Sequence, residues 1–287
     1  MKRIGLDTSA IDYCLRNNIS AAELKQFLDE QDLTPVICPY VIYEMSRKFL
    51  RNITGGKALF CFISQLEPQY IAPRDTLYLR EFDKLDKNGV LCDLADRLHK
   101  EIIVKRVEMH AGGKITAKLV RYIRKKQASL NQLDEFFKPL EEEKKKIDKY
   151  RNSSVYIDGL LSLFKNGDVQ VKECIHEIIL KSTNSMVQLS NEHISKFSQR
   201  TSDYRLFQSL IRNRFYLQFL THKLSNKPAE DRFTDGLIVV EYSYCDQLLS
   251  NDKKLIETHA QIINPDILPI RACEFLKDLV HLPNQIT

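Results

Sequence analysis

No stretch of this sequence approaches the ~20 consecutive apolar residues that a membrane-crossing helix needs, so a membrane partner is not expected. A secretory leader is not expected either: the basic start, Met1-Lys-Arg, meets an acid at Asp7 before any apolar run develops. The seven cysteines (Cys14, Cys38, Cys61, Cys92, Cys174, Cys245 and Cys273) stand singly, with no Cys-x-x-Cys pair. An odd number without a leader reads as reduced, buried thiols in a cytoplasmic protein, not a disulfide framework. The seven histidines show no zinc-ligand spacing, and His176-Glu177 has Leu180 where a zinc protease places its second histidine. Gly55-Gly-Lys57 lacks both the first glycine and the Ser/Thr of a phosphate-binding loop. No Gly-x-Ser-x-Gly elbow is present, and no internal repeat is visible. Charge of either sign is not in large excess: a net +5 permits a polyanionic partner without demanding one.

What is present is a strand–helix pattern at both ends of the chain. Residues 2–7 form an apolar strand, followed by a helix over Ala10–Asn17 capped by Ser9. Ser20-Ala-Ala-Glu23 has the form of a capping box and predicts a helix over Ala21–Glu30. Leu33–Cys38 is a second buried strand, and Pro39 suits the first turn of a helix over Pro39–Arg51. Thr54-Gly-Gly-Lys57 reads as a break before a helix over Ala58–Leu66. Near the other end, a helix begins at about Asp231, a turn falls at Cys245-Asp246, and Gln247–Ser250 is a buried strand. Gln261–Asn264 reads as the last strand and Ala272–Val280 as the last helix. Strands alternating with helices imply an α/β fold with a parallel sheet covered on both faces. From Pro73 to Asn226 the segments have helical period and high charge, among them Asp75–Asp86, Cys92–His110, Ile115–Gln127, Leu133–Tyr150 and Tyr204–Leu224. The expected organisation is therefore a discontinuous core, 1–70 and 228–287, with a large all-helical insertion over 71–227.

Four acids fall where such a core gathers side chains. Asp7 ends the first strand, Glu44 lies on the helix after the second, Asp235 is early on a helix, and Asp252 follows a strand end. Ligands of open α/β sheets bind outside the carboxyl ends of the strands. Packed carboxylates repel one another and hold protons unless a cation relieves them, and hard Mg²⁺ or Mn²⁺ suits oxygen ligands. Each acid also has a purely structural reading: Asp7 as part of a helix cap, Glu44 as a solvated helix position, Asp235 as a first-turn acid facing the helix dipole, and Asp252 as a turn residue. Asp231, one helical turn before Asp235, can share or replace its role.

The motifs carrying these acids are Gly5-Leu-Asp-Thr-Ser-Ala10, Val36-Ile-Cys-Pro-Tyr-Val-Ile-Tyr-Glu-Met-Ser46, Thr234-Asp-Gly-Leu-Ile-Val-Val240 and Leu248-Leu-Ser-Asn-Asp-Lys-Lys254. Together they resemble the PIN-domain nucleases. The resemblance implies a PIN-like core with Asp7, Glu44, Asp235 and Asp252 as both catalytic and metal-binding residues, Ser9 and Asn251 as flanking polar residues, and one or two Mg²⁺ or Mn²⁺ ions. The implied activity is metal-dependent endoribonucleolytic cleavage of RNA. By family analogy alone it also suits a toxin or defence effector held by a regulatory or inhibitory protein partner. Two other readings are a catalytically silent PIN-like module that docks a protein or nucleic acid, and a structure-specific DNA nuclease.

Between Arg97 and Lys126 ten basic residues face only two acids, Glu101 and Glu108. Lys114, Lys118, Arg121 and Lys125 follow three- and four-residue steps, hence one helical face, with Arg124 beside them. A positive face next to an acidic pocket would hold the phosphates of a nucleic acid. A second segment, Arg205–Lys227, interleaves Arg212 and Arg214 with Phe207, Phe215, Tyr216 and Phe219, which are candidates either for base stacking or for the core.

Overall fold

In the computed structural model the residues described are 1–87, 97–132, 150, 152–182, 190–200, 203–224 and 230–280. The helix expected over Leu133–Tyr150 lies almost entirely outside them, as does the start of the one expected over Cys92–His110.

Five strands form one all-parallel sheet: β1 (Lys2–Leu6), β2 (Leu33–Ile37), β3 (Gln69–Tyr70), β4 (Gln247–Ser250) and β5 (Leu268–Arg271), in the order β3-β2-β1-β4-β5. The chain starts in the middle, lays β2 and β3 on one side of β1, and returns to lay β4 and β5 on the other. Ile4, Val36, Ile37, Leu248 and Leu249 are fully buried, as near-continuous apolar strands in a sheet covered on both faces must be. β1 and β2 are joined through α1 (Thr8–Arg16) and α2 (Ala21–Glu30), and β2 and β3 through α3 (Pro39–Arg51) and α4 (Ile53–Leu66). The described residues between β3 and β4 are helical: α5 (Arg74–Lys87), α6 (Arg97–Ala111), α7 (Ala117–Gln132), α8 (Ser153–Lys165), α9 (Val169–Ser182), α10 (Asn191–Gln199), α11 (Arg205–Leu224) and α12 (Glu230–Glu241). π-helical turns over Leu255–Ala260, continued by α13 (Gln261–Ile263), link β4 to β5, and a short α14 (Ala272–Phe275) follows.

Local chemistry explains most of these boundaries. The Ser20–Glu23 capping box forms as expected, with the Ser20 amide donating to Glu23 Oε2 at 2.7 Å and the Glu23 amide donating to Ser20 Oγ at 3.2 Å. Pro39 opens α3, where its missing N–H costs nothing. Helix α1 begins two residues earlier than predicted, and its cap is Asp7, not Ser9: Asp7 Oδ2 accepts from the Ser9 amide at 3.2 Å. Helix α4 begins at Ile53, capped by Asn52, so the Gly55-Gly56 pair is not a break. A Cβ on Gly56 would stand 2.2 Å from Phe49 Cα; the glycine permits the close crossing of α3 and α4. In the segment expected as the last strand, Gln261–Ile263 is helical, and the last strand is Leu268–Arg271. A short apolar run such as Gln261-Ile-Ile does not by itself distinguish a strand from a buried helix. Pro269 is tolerated because β5 is an edge strand. The expected last helix is broken after Phe275, with a 3₁₀ turn over Lys277–Leu279.

The helices between β3 and β4 do not build a core of their own. Ile157, Phe164, Phe197 and Phe207 belong to the same buried apolar cluster as Ile4, Leu6 and Val36. Phe207, Phe215, Tyr216 and Phe219 are all buried, which makes them core residues and not a stacking platform. Arg212 is buried as well, its Nε donating to the Ile262 carbonyl at 2.7 Å and its Nη1 to Asp158 Oδ1 at 2.9 Å. Glu81, on α5, is fully buried; its carboxylate accepts from the Leu206 and Phe207 amides at 2.8 and 2.9 Å and from the Tyr244 hydroxyl. One carboxylate thus caps α11 and ties it to α5 and to the turn before β4.

Candidate active site

The sheet changes direction between β1 and β4, and it is at such a switch point, outside the carboxyl ends of the strands, that open α/β sheets bind ligands. Asp7 leaves β1 there and Ser250-Asn251 leaves β4. Asp7 is 5% exposed, and a buried carboxylate has to be hydrogen-bonded. Its Oδ2 accepts from the Ser9 amide at 3.2 Å, Ser9 Oγ at 2.6 Å and Ser250 Oγ at 2.9 Å. Ser9 Oγ in turn accepts from the Asn251 amide at 2.8 Å. Two hydroxyls and two strand ends thereby hold one carboxylate oxygen.

Glu44 reaches the same place from α3. The Thr8 hydroxyl, next to Asp7 in the chain, donates to Glu44 Oε2 at 2.7 Å. Burial, and secondly the charge of Asp7, push the Glu44 carboxyl up to about 7, against the opposing pull of the Thr8 hydroxyl, Lys48 and Arg47. Among the described residues nothing donates to Asp7 Oδ1 or Glu44 Oε1. Asn251 Oδ1 is buried without a hydrogen-bond partner.

The two other acids expected at this site make no hydrogen bond to Asp7 or Glu44. Asp252 is exposed and caps the following helical turns, its Oδ1 accepting from the Lys254 amide at 2.7 Å and the Leu255 amide at 3.1 Å. Asp235 is half-buried on α12, between the buried Thr234 and Gly236. Asp231 lies on the first turn of α12, and its side chain is outside the described residues. Among the described residues no group of three or more His, Cys, Asp and Glu side chains could by itself hold a metal ion. The chemistry of the donors still fits a hard cation. Two carboxylates with an oxygen to spare and an orphaned amide oxygen are oxygen ligands, and Mg²⁺ takes only one or two carboxylates while keeping several waters.

Three further residues shape the site without having been singled out in the sequence. Thr8 and Ser250 orient Glu44 and Asp7. Glu241, fully buried at the end of α12, accepts from the Tyr40 amide at 2.9 Å and so caps the N-terminus of α3, the helix that carries Glu44. Burial pushes its carboxyl up; Lys126, the Tyr40 amide, Arg74 and the Cys38 thiol pull it back. The one sequence signal for Glu241 is an acid inside the apolar run Leu237-Ile-Val-Val-Glu-Tyr242.

Lys118, Arg121, Arg124 and Lys125 of the basic face lie on α7, which packs against α3, whereas Lys114 lies in the connection before it. The Tyr43 and Tyr122 rings meet edge to face at 6.3 Å, the Tyr43 hydroxyl donates to Gln127 Oε1 at 3.1 Å, and Lys126 Nζ sits 4.4 Å from the Tyr40 ring centroid. Lys114, Lys118, Arg121, Arg124 and Lys125 are exposed, and Arg121, Arg124 and Lys125 line an open groove floored by Ala117 and Val120.

Set against known proteins, the chain matches no family model, no curated sequence and no solved structure. Among the described residues no helix is long and apolar enough to cross a membrane.

Proposed function

We propose that this chain is a PIN-type, metal-dependent endoribonuclease whose site is centred on Asp7 and Glu44. The observation that carries the reading is this carboxylate pair at the switch point, with one oxygen of each left without a donor among the described residues and the Glu44 proton held to about pH 7. A divalent cation offers the pair what neither Thr8 nor Lys48 supplies, a charge placed between both carboxylates. Asp7, Glu44 and Asn251 would hold Mg²⁺ or Mn²⁺, which when bound generates a nucleophilic hydroxide from water and polarises the phosphoryl oxygen. Ser9 and Ser250 fix the rotamer of Asp7, Thr8 fixes that of Glu44, and Glu241 anchors the helix that presents Glu44. Lys118, Arg121, Arg124 and Lys125 would draw the RNA backbone onto the face beside α3. Asp235 and Asp252 belong to this reading as further candidate ligands, Asp252 through Oδ2, since its cap occupies only Oδ1.

A second reading has its own observation. Asp252 is exposed and makes no hydrogen bond to the Asp7–Glu44 pair, which suits a silent PIN-like module that binds nucleic acid or protein without cutting. Cleavage of labelled single-stranded RNA and DNA in Mn²⁺, Mg²⁺ or EDTA separates the two. The nuclease reading expects metal-dependent cutting of RNA, reduced at least ~100-fold in Asp7→Asn and in Glu44→Gln, as for loss of a group acting in the transition state. RNA binding without cutting in either metal would favour the silent module, and cutting of DNA alone the structure-specific nuclease.

A further inference from the structure

Strand register places a cation in the same row as the candidate catalytic carboxylate. Leu6 pairs with Leu249, so Asp7 is level with Ser250, and the Asp7 amide donates to the Leu249 carbonyl at 3.0 Å. Ser250 in turn pairs with Arg271 on β5. Paired residues of neighbouring parallel strands share a face, and strands stand about 4.8 Å apart. The carboxyl edge of the sheet therefore carries a carboxylate, a hydroxyl and a guanidinium in line across β1, β4 and β5.

Arg271 is poorly used by its own protein. Its side chain is 34% exposed, and its one ion pair among the described residues is a 3.8 Å approach of Nη1 to Glu274, itself 71% exposed. Pairs of that kind contribute little. Nε is buried with no hydrogen-bond partner, and among the described residues none of the five guanidinium N–H groups makes a hydrogen bond. A buried donor left unmet carries a desolvation cost that an incoming acceptor removes. The planar fork of N–H groups matches phosphate oxygens better than any other side chain does.

We propose that Arg271 is a phosphate-binding residue, holding a phosphate next to the scissile one as an RNA strand crosses the carboxyl edge from β1 to β5. The assignment rests on the nuclease reading for the position of the scissile phosphate. It gives the strand a direction across the sheet that the basic face of α7, on the other side of β1, does not define alone.

The experiment measures binding of a short labelled single-stranded RNA to the full-length protein in EDTA, across a salt series, for wild type, Arg271→Ala, Arg271→Gln and Arg271→Lys. Steady-state cleavage in Mn²⁺ runs in parallel. Removing one charged partner of a phosphate predicts about tenfold weaker binding for the Ala and Gln variants and a salt slope shallower by ~0.7, the value for one phosphate on a single strand. KM should rise more than kcat falls, and Lys, which keeps the charge but not the fork, should restore the slope and part of the affinity. Wild-type binding with unchanged affinity and slope in the Ala and Gln variants overturns the assignment while leaving the nuclease intact. Absence of RNA binding by the wild type overturns both. If truncation at 271 unfolds the chain, the Lys variant decides, since a full return of wild-type affinity would show that the guanidinium fork is not needed.

Discussion

Glu44 is held between two demands. Its helix presents it to Asp7, yet burial and the Asp7 charge hold its proton to about pH 7. A carboxyl raised in this way favours the folded state most fully below its unfolded value of about 4.5, and that contribution is lost as pH climbs through about 7. His110 works in the opposite direction: burial depresses it, so its contribution is lost as pH falls below the unfolded histidine value. The two are separated by comparison with Glu44→Gln. In EDTA, the wild type should lose ~2–3 kcal/mol of stability between pH 5 and pH 8 relative to that variant, read by chemical denaturation at each pH. Added Mn²⁺ should recover the loss at pH 8 and do little at pH 5, where protons compete for the same oxygens. A wild type and a variant with parallel pH profiles would show that burial and Asp7 do not raise the Glu44 carboxyl.

At the scale of elements, the site depends on how β1 meets α12. The Tyr242 ring lies against Gly5, where a Cβ would stand 2.7 Å from the ring. Its hydroxyl donates to the Leu6 carbonyl at 2.7 Å and accepts from the Cys38 amide at 3.2 Å. One phenol thus stitches the ends of β1 and β2 together one residue before Asp7 and at the entrance of α3. Gly5→Ala is expected to cost about 2–3 kcal/mol, because the ring is fully buried and has nowhere to retreat. A melt of the variant gives the cost, and its Mn²⁺-induced stabilisation should also weaken as Asp7 is displaced. If Gly5→Ala is as stable as wild type, β1 has room at that point and the Tyr242 ring does not set the position of Asp7. At the α3–α4 crossing a similar close approach explains why α4 already starts at Ile53: the crossing needs Gly56 more than the chain needs a loop.

Across the whole molecule, one apolar cluster runs from the sheet into α8, α10 and α11, so the helices brace the site and do not hang from it as a separate body. Four exposed basic residues lie on α7. Replacing Lys118, Arg121, Arg124 and Lys125 by Ala should leave stability within ~0.5 kcal/mol per site, as for surface positions generally. RNA affinity should fall together with the salt slope, by ~0.7 for each phosphate that the protein no longer neutralises. A quadruple variant that binds as the wild type does would move the nucleic-acid face elsewhere.

Much of this was legible in the residues. The capping box at Ser20, Pro39 at a helix start, the strands at Leu33 and Gln247 and the α/β class all follow from local chemistry that no tertiary contact overrides. So do the positions of Asp7 at the end of β1 and of Glu44 on the helix after β2. Local sequence could not say which acids converge. Asp252 and Asp7 both follow strands and both cap helices; what distinguishes Asp7 is its burial beneath the Ser9 and Ser250 hydroxyls, brought together from 241 positions apart. Glu241, Tyr242 and Arg271 acquire their roles solely from what the fold sets beside them. Hydrogen bonding at an element's end is a matter of neighbours in the chain, whereas burial, shared fields and register across strands exist only once distant segments are packed together.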